Sequence, residues 1–237
     1  RLNSSAASDV YKRQNIKKIN QLDTLSVHAG VKTDPLTGAV MTPIYATSTY
    51  AHDRPGEHKG YEYSRSQNPT REVLENSIAE LESGYKAFAF ASGVAAQTAV
   101  LDLLKPGDHV IAFDDLYGGT FRLFNEIKSK SSNIEFTFVD LNTNFSKEIK
   151  KNTKMIWIET PTNPLLKITD LKRIARIARK NKLITVCDNT FATPYNQRPL
   201  EHGIDIVNHS TTKYINGHSD VIGGALVIGK NKKLEKK

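Results

Sequence analysis

From residue 87 onward, short apolar runs alternate with stretches whose apolar positions recur at helical spacing. The apolar runs predict strands at 87–91, 109–113, 134–139, 154–159, 183–187, 204–207 and 225–228. Val73, Leu74, Ile78 and Leu81 predict a helix that Asn68 or Thr70 caps, with Pro69 in its first turn and Gly84 past its end. A second helix opens at Ser92-Gly93, carries Val94, Val100, Leu101 and Leu104 on its apolar face, and stops at Pro106-Gly107. Two more are expected over 120–128 and 169–180, the latter capped by Thr169 or Asp170. Strands this uniformly apolar are buried on both faces. The alternation therefore predicts an α/β domain, a mostly parallel sheet with helices on both faces.

The flanks read differently. Residues 1–14 are polar, lack periodicity and contain Ser4-Ser5-Ala6-Ala7-Ser8, as expected of a non-native or disordered leader. Residues 15–62 are rich in turn signals: Gly30, Asp34-Pro35, Thr37-Gly38, Pro43, Pro55-Gly56 and Gly60. They predict an arm that needs another surface to order it, within the chain or on a partner subunit. Residues 63–237 form the expected main domain.

Composition narrows the function classes. The net charge of +8 is concentrated in Lys12, Arg13, Lys17 and Lys18 near one end and Lys230, Lys232, Lys233, Lys236 and Lys237 at the other. Neither cluster interleaves aromatics for base stacking, so no nucleic-acid partner is expected. No apolar run approaches the ~20 residues of a membrane helix. The single cysteine, Cys187, excludes an internal disulfide and fits a reducing cytoplasm. The histidines show no metal-ligand spacing, and there is no P-loop or Gly-x-Gly-x-x-Gly.

In a parallel sheet, ligands collect beyond the C-terminal strand ends. The first such end offers Ser92-Gly93-Val94, where free helix N–H groups and a small residue suit a phosphate; an ordinary strand-to-helix turn reads the same way. The second offers Tyr117 before Gly118-Gly119, a ring for stacking or a capping-loop tyrosine. The fourth offers Thr160-Pro161-Thr162-Asn163-Pro164, with Asn163 held between two prolines. The fifth offers Asp188, an acid closing an apolar strand, which must find a cation or several donors. The sixth leads into Ser210-Thr211-Thr212-Lys213, hydroxyls beside a lysine. That amine could form a Schiff base with a carbonyl, a step that needs partial desolvation. Together these groups match what pyridoxal phosphate requires.

The chain resembles the pyridoxal-phosphate enzymes of trans-sulfuration, the cystathionine gamma-synthase and gamma-lyase group, from about Thr24 to Ile228. Ser26-Val27-His28-Ala29-Gly30, Tyr63-Ser64-Arg65, Asn68-Pro69-Thr70-Arg71, Ala91-Ser92-Gly93 and Asp115 to Thr120 carry the resemblance. So do Trp157 to Pro164, Asp188-Asn189-Thr190-Phe191, Gln197-Arg198-Pro199-Leu200 and Thr212 to Asp220. The resemblance implies the aspartate-aminotransferase-like fold (fold type I), with Lys213 bound covalently to the cofactor. It implies Asp188 at the ring nitrogen, Tyr117 stacked on the ring and Asn163 near the ring hydroxyl. Ser92, Gly93, Val94, Ser210 and Thr212 would hold the phosphate.

The residues matching Tyr63 and Arg65 reach the phosphate of a neighbouring subunit in that family, implying a homo-oligomer, a dimer of dimers with shared active sites. The implied substrates are small amino acids: cystathionine, cysteine and O-acylhomoserine. Lys213 would move protons during gamma-elimination or gamma-replacement, with Tyr117 assisting. Gly119 stands where methionine gamma-lyases carry cysteine, while Phe191 and Asn68-Pro69-Thr70 depart from the enterobacterial beta-lyase pattern. Pro194-Tyr195 and Gln197 to Leu200 lean to the gamma-lyase and gamma-synthase branch, with beta-lyase or another carbon–sulfur lyase as the alternative. Family members continue past the cofactor lysine with a smaller domain that supplies an arginine for the substrate carboxylate. The sequence thus reads as an N-terminal fragment of an enzyme, inactive by itself or serving as a non-catalytic cofactor-binding piece.

Overall fold

A computed structural model describes residues 22–229. The expected leader, residues 15–21 of the arm and the charge clusters at 12–18 and 230–237 lie outside the described residues.

A seven-stranded sheet carries the fold, in the order β3-β9-β8-β7-β6-β4-β5. Its strands are β3 (Lys86–Phe90), β4 (His109–Phe113), β5 (Glu135–Val139), β6 (Thr153–Glu159), β7 (Ile184–Asp188), β8 (Ile206–His209) and β9 (Gly224–Ile228). Strands β5, β4, β6, β7 and β8 pair in parallel. Only β9 is reversed, pairing antiparallel with β8 and β3. The chain runs outward from β4 to β5, returns beside β4 as β6, and proceeds the opposite way through β7 and β8. The order therefore reverses between β4 and β6, and the connections diverge to open a crevice there.

Every residue of β8 and β9 is buried, and their apolar side chains alternate between two clusters. Val207, Ala225 and Val227 pack with Ile78 and Ala79 of the helix Pro69–Leu81. Ile206, Leu226 and Ile228 face the larger core with the helices Gly93–Leu101 and Leu171–Lys180. Helices thus cover both faces, as expected. In central β6, Met155, Ile156, Trp157 and Ile158 are all fully buried, the signature of a strand covered on both sides. Trp157 meets Phe124 edge-on at 5.1 Å.

Local chemistry settles the helix starts. Asn68, not Thr70, caps the first helix, accepting from the N–H groups of Thr70 and Arg71, with Pro69 following. Asp170, not Thr169, caps Leu171–Lys180 by accepting from Arg173 N–H. Other expectations shift. The helix from Gly93 ends at Leu101, not Leu104, and Val94 is 37% exposed and lines a cavity instead of facing the core. The helix expected over 120–128 begins as Gly118–Arg122 and continues as a π-helical turn, Leu123–Lys128. The strand expected at 204–207 is displaced to Ile206–His209 because its polar end finds buried partners. Asn208 donates to Asp188, and His209 shares a 2.6 Å hydrogen bond with Glu82.

The described part of the arm holds a short helix, Leu22–His28, and a hairpin of β1 (His52–Arg54) with β2 (Glu57–His58). Gly30 seats the arm on the helix Pro69–Leu81. Its φ is +70°, and a β-carbon there would lie 2.6 Å from Val73 O. Leu36, Met41 and Ile44 of the arm are exposed. No helix among the described residues is long and apolar enough to cross a membrane.

Candidate functional site

The C-terminal strand ends surround a cavity of about 450 Å³. Nine of the eleven candidate residues line it: Ser92, Gly93, Val94, Tyr117, Asn163, Asp188, Ser210, Thr212 and Lys213. Tyr63 and Arg65 do not. They sit on an exposed turn that Arg71 ties to the first helix through Ser64 O and Ser66 O, both at 2.8 Å. The Arg65 guanidinium lies 5.2 Å from the centroid of the Tyr63 ring.

One end of the cavity is shaped for a phosphate. Ser92 caps the helix Gly93–Leu101, its Oγ accepting from Ala95 N–H at 3.1 Å. Its hydroxyl proton and the N–H groups of Gly93 and Val94 remain to serve an anion. Gly93 is buried against Ser210, and a β-carbon on Gly93 would stand 2.7 Å from Ser210 Cβ. Gly224 makes the same approach from β9, where a β-carbon would fall 2.1 Å from Ser92 O. The cradle is therefore a narrow slot between backbones that any side chain at these positions would fill. Ser210 N–H donates to Thr190 Oγ1 at 2.9 Å, which fixes its backbone at the rim. Thr212 Oγ1 both donates to Gly223 O and accepts from Gly223 N–H, so it braces the loop as well as lining the cavity.

The opposite end carries the acid. Asp188 is 6% exposed. Oδ1 accepts from Thr190 N–H at 3.0 Å and Thr190 Oγ1 at 2.5 Å. Oδ2 accepts from Asn208 at 2.8 Å and Gln97 at 3.3 Å. These donors orient the carboxylate and offset its burial. This is the donor-rich acid a protonated ring nitrogen requires. Gln97 Oε1, buried and without a partner, completes that wall.

Tyr117 is 44% exposed and stands at the start of the helix Gly118–Arg122. Its ring lies over Gly119, where a β-carbon would come 2.4 Å from the ring edge. The bonds Thr160-Pro161 and Asn163-Pro164 are both cis, and half-buried Asn163 points its loop at the cavity. Lys213 lines the cavity but is exposed, so the desolvation expected of its amine is not supplied by the described residues.

Six further residues line the cavity, and three of them are polar: Gln97, Glu159 and Thr190. Glu159 carried the signal that singled out Asp188, an acid closing an apolar strand. Burial and the neighbouring Asp188 push its carboxyl up to about 8. Gln97 had no signal, because its role depends on which helix faces β7. Among the described residues no group of acidic, histidine and cysteine side chains could hold a metal ion.

The slot, the acid, the ring and the lysine fit a planar heterocycle carrying a phosphate and a carbonyl. Known proteins agree. The family model described as Cys/Met metabolism PLP-dependent enzyme matches residues 23–237. The chain is 57% identical over 222 residues to a protein named cystathionine beta-lyase from Coxiella burnetii, covering 93% of this chain and 57% of that one. It is 54% identical over 213 residues to cystathionine gamma-lyase from Bacillus subtilis, covering 89% and 56%. The crystal structure of metB from Corynebacterium glutamicum superimposes with a TM-score of 0.88 at 45% identity, covering 91% and 57%. The chain thus spans a little over half the length of these relatives. It belongs to the Cys/Met-metabolism family of pyridoxal-phosphate-dependent enzymes.

Proposed function

We propose that this chain is the cofactor-binding part of a trans-sulfuration enzyme that breaks or forms carbon–sulfur bonds at the gamma carbon of cystathionine or an O-acylhomoserine. The observation that carries the reading is the convergence of Lys213, Asp188, Tyr117 and the Gly93–Ser210 slot on one cavity. Pyridoxal phosphate, when bound, supplies an electron sink for charge developing on the substrate's alpha carbon. Lys213 holds the cofactor, then takes the alpha proton and carries it to a neighbouring carbon. Asp188 keeps a proton on the ring nitrogen. Tyr117 covers the ring face and sets its phenol beside the departing group. Asn163 donates to the ring hydroxyl. Ser92, Gly93, Val94, Ser210 and Thr212 enclose the phosphate. Tyr63 and Arg65, outside their own cavity, serve the site of a neighbouring copy in a homotetramer, and the exposed apolar arm around Met41 and Ile44 is the surface that meets it.

Cleavage at the beta carbon is the second reading, supported by a relative named cystathionine beta-lyase at 57% identity. Product analysis separates them. Given cystathionine, a gamma-lyase releases 2-oxobutanoate and a beta-lyase releases pyruvate. A gamma-synthase makes cystathionine from cysteine and an O-acylhomoserine. The assay is made on the full-length protein with its cofactor, after borohydride trapping maps the cofactor to Lys213. If the label is on Lys213 and none of these products forms, the trans-sulfuration assignment fails.

A further inference from the structure

Glu159 ends β6 beside Asp188 on β7, and Asn208 on β8 continues the row. Glu159 is 6% exposed and lines the cavity. Its Oε2 accepts from Tyr117 N–H at 3.0 Å, and the backbone of Asn163 acts on the same carboxyl to favour its ionised form. One side chain thus binds the loop after β4 to the loop after β6, across the crevice where the strand order reverses. Deeper in, Asp115 Oδ2 joins the same loops, accepting from Thr162 Oγ1 and from Leu165 N–H. Asp115 already secures the loops away from the cavity. The second carboxyl stands where the ligand lies, in a place where ionisation is opposed by burial and by Asp188.

We propose that Glu159 is a positioning residue of the cofactor site, holding Tyr117 and Asn163 in fixed relation so that the ring is gripped between its stacking face and its hydroxyl. This rests on the cofactor placement given above. Glu159 itself donates no proton to the substrate in this account. It acts through the backbone of the two loops.

The test uses the full-length protein, stripped of cofactor and titrated with pyridoxal phosphate, in the Glu159→Ala, Glu159→Asp and Glu159→Gln variants. Affinity is one readout. The induced circular dichroism of bound cofactor, measured at saturation and well below the melting temperature, is the other, because it reports ring orientation and not fold stability. Glu159→Ala and Glu159→Asp, which lose the acceptor or its reach, are expected to weaken binding at least tenfold and to diminish the dichroism. Glu159→Gln keeps one of the two acceptor oxygens and is expected to fall between wild type and Ala. A folded Ala or Asp variant with wild-type affinity and dichroism overturns the proposal, as does a Gln variant that loses as much as Ala. Borohydride trapping of wild type onto Lys213 is the separate control. If it fails, the placement of the cofactor is wrong; if it succeeds while the variants behave as wild type, only the role of Glu159 is wrong.

Discussion

Gly93 lies so close to Ser210 that a β-carbon on it would stand 2.7 Å from Ser210 Cβ and 2.9 Å from Ser210 Cα. The second contact is with backbone and cannot be relieved by a rotamer change. Gly93→Ala is expected to wedge the slot open, at a cost of about 1–3 kcal/mol for overpacking. That corresponds to a roughly 5–150-fold loss of affinity for pyridoxal phosphate if the strain is relieved by widening the cradle. Equilibrium titration of the cofactor-free protein checks it, and unchanged affinity would show that the slot is not where the phosphate sits.

Gly119 tests the ring instead of the phosphate. A β-carbon there meets only the outer edge of the Tyr117 ring, and that ring is 44% exposed. Gly119→Ala is therefore expected to leave the fold intact. Alanine within the helix Gly118–Arg122 gains about 0.5–1 kcal/mol over glycine. The displaced ring should change the visible spectrum of bound cofactor and lower kcat. A melting temperature at or above wild type with an altered spectrum is the expected pair of results. An unaltered spectrum would mean that Tyr117 does not stack.

Behind the site, Glu82 and His209 are both fully buried and share a 2.6 Å hydrogen bond. Asn189, which follows Asp188, donates to the same Glu82 oxygen at 2.7 Å. His209 precedes Ser210, so this cluster joins the backbone of the acid to that of the phosphate slot. His209→Ala would take one of two partners from the buried Glu82 oxygen and is expected to cost about 1–3 kcal/mol of stability. The double variant Glu82→Leu with His209→Leu, which replaces both polar partners with apolar ones, should recover much of it. Urea unfolding of both variants reads the difference.

At the other edge of the sheet, His109 is buried between Thr153 Oγ1 at 2.8 Å and Thr137 Oγ1 at 2.9 Å. Burial, assisted by Lys150, holds its pKa below the ordinary value. The unfolded chain therefore takes up a proton before the folded one does. Stability from this residue is complete above the unfolded value of about 6.5 and is lost as pH falls towards the folded value. His109→Gln, which keeps polar contacts without titrating, should flatten the decline in unfolding free energy between about pH 7 and 5. An identical slope in both proteins would show that His109 is not its source.

Much of the fold was written in the order of residues. Strands such as β4 and β6 are apolar enough that only a covered sheet could take them, and Asn68, Pro69, Ser92 and Asp170 mark their helix starts by local chemistry. Candidates at strand ends could be found because the parallel sheet puts every such end on one edge. Tertiary structure decided what local pattern cannot encode. Asn208 and His209 read as a loop because they are polar, yet they complete β8, since Asp188 and Glu82 lie within hydrogen-bonding distance of them in the fold. Helical spacing put Val94 on a core face while its place after the first strand put it at the candidate site; it lines the cavity, because spacing marks a face without naming what lies opposite. Glu159 and Gln97 joined the site for the same reason: their partners, Tyr117 and Asp188, are distant in sequence and adjacent only across the sheet and the helix covering it. The sequence determines which groups are presented at the strand ends. The strand order, with its reversal between β4 and β6, determines which of them meet.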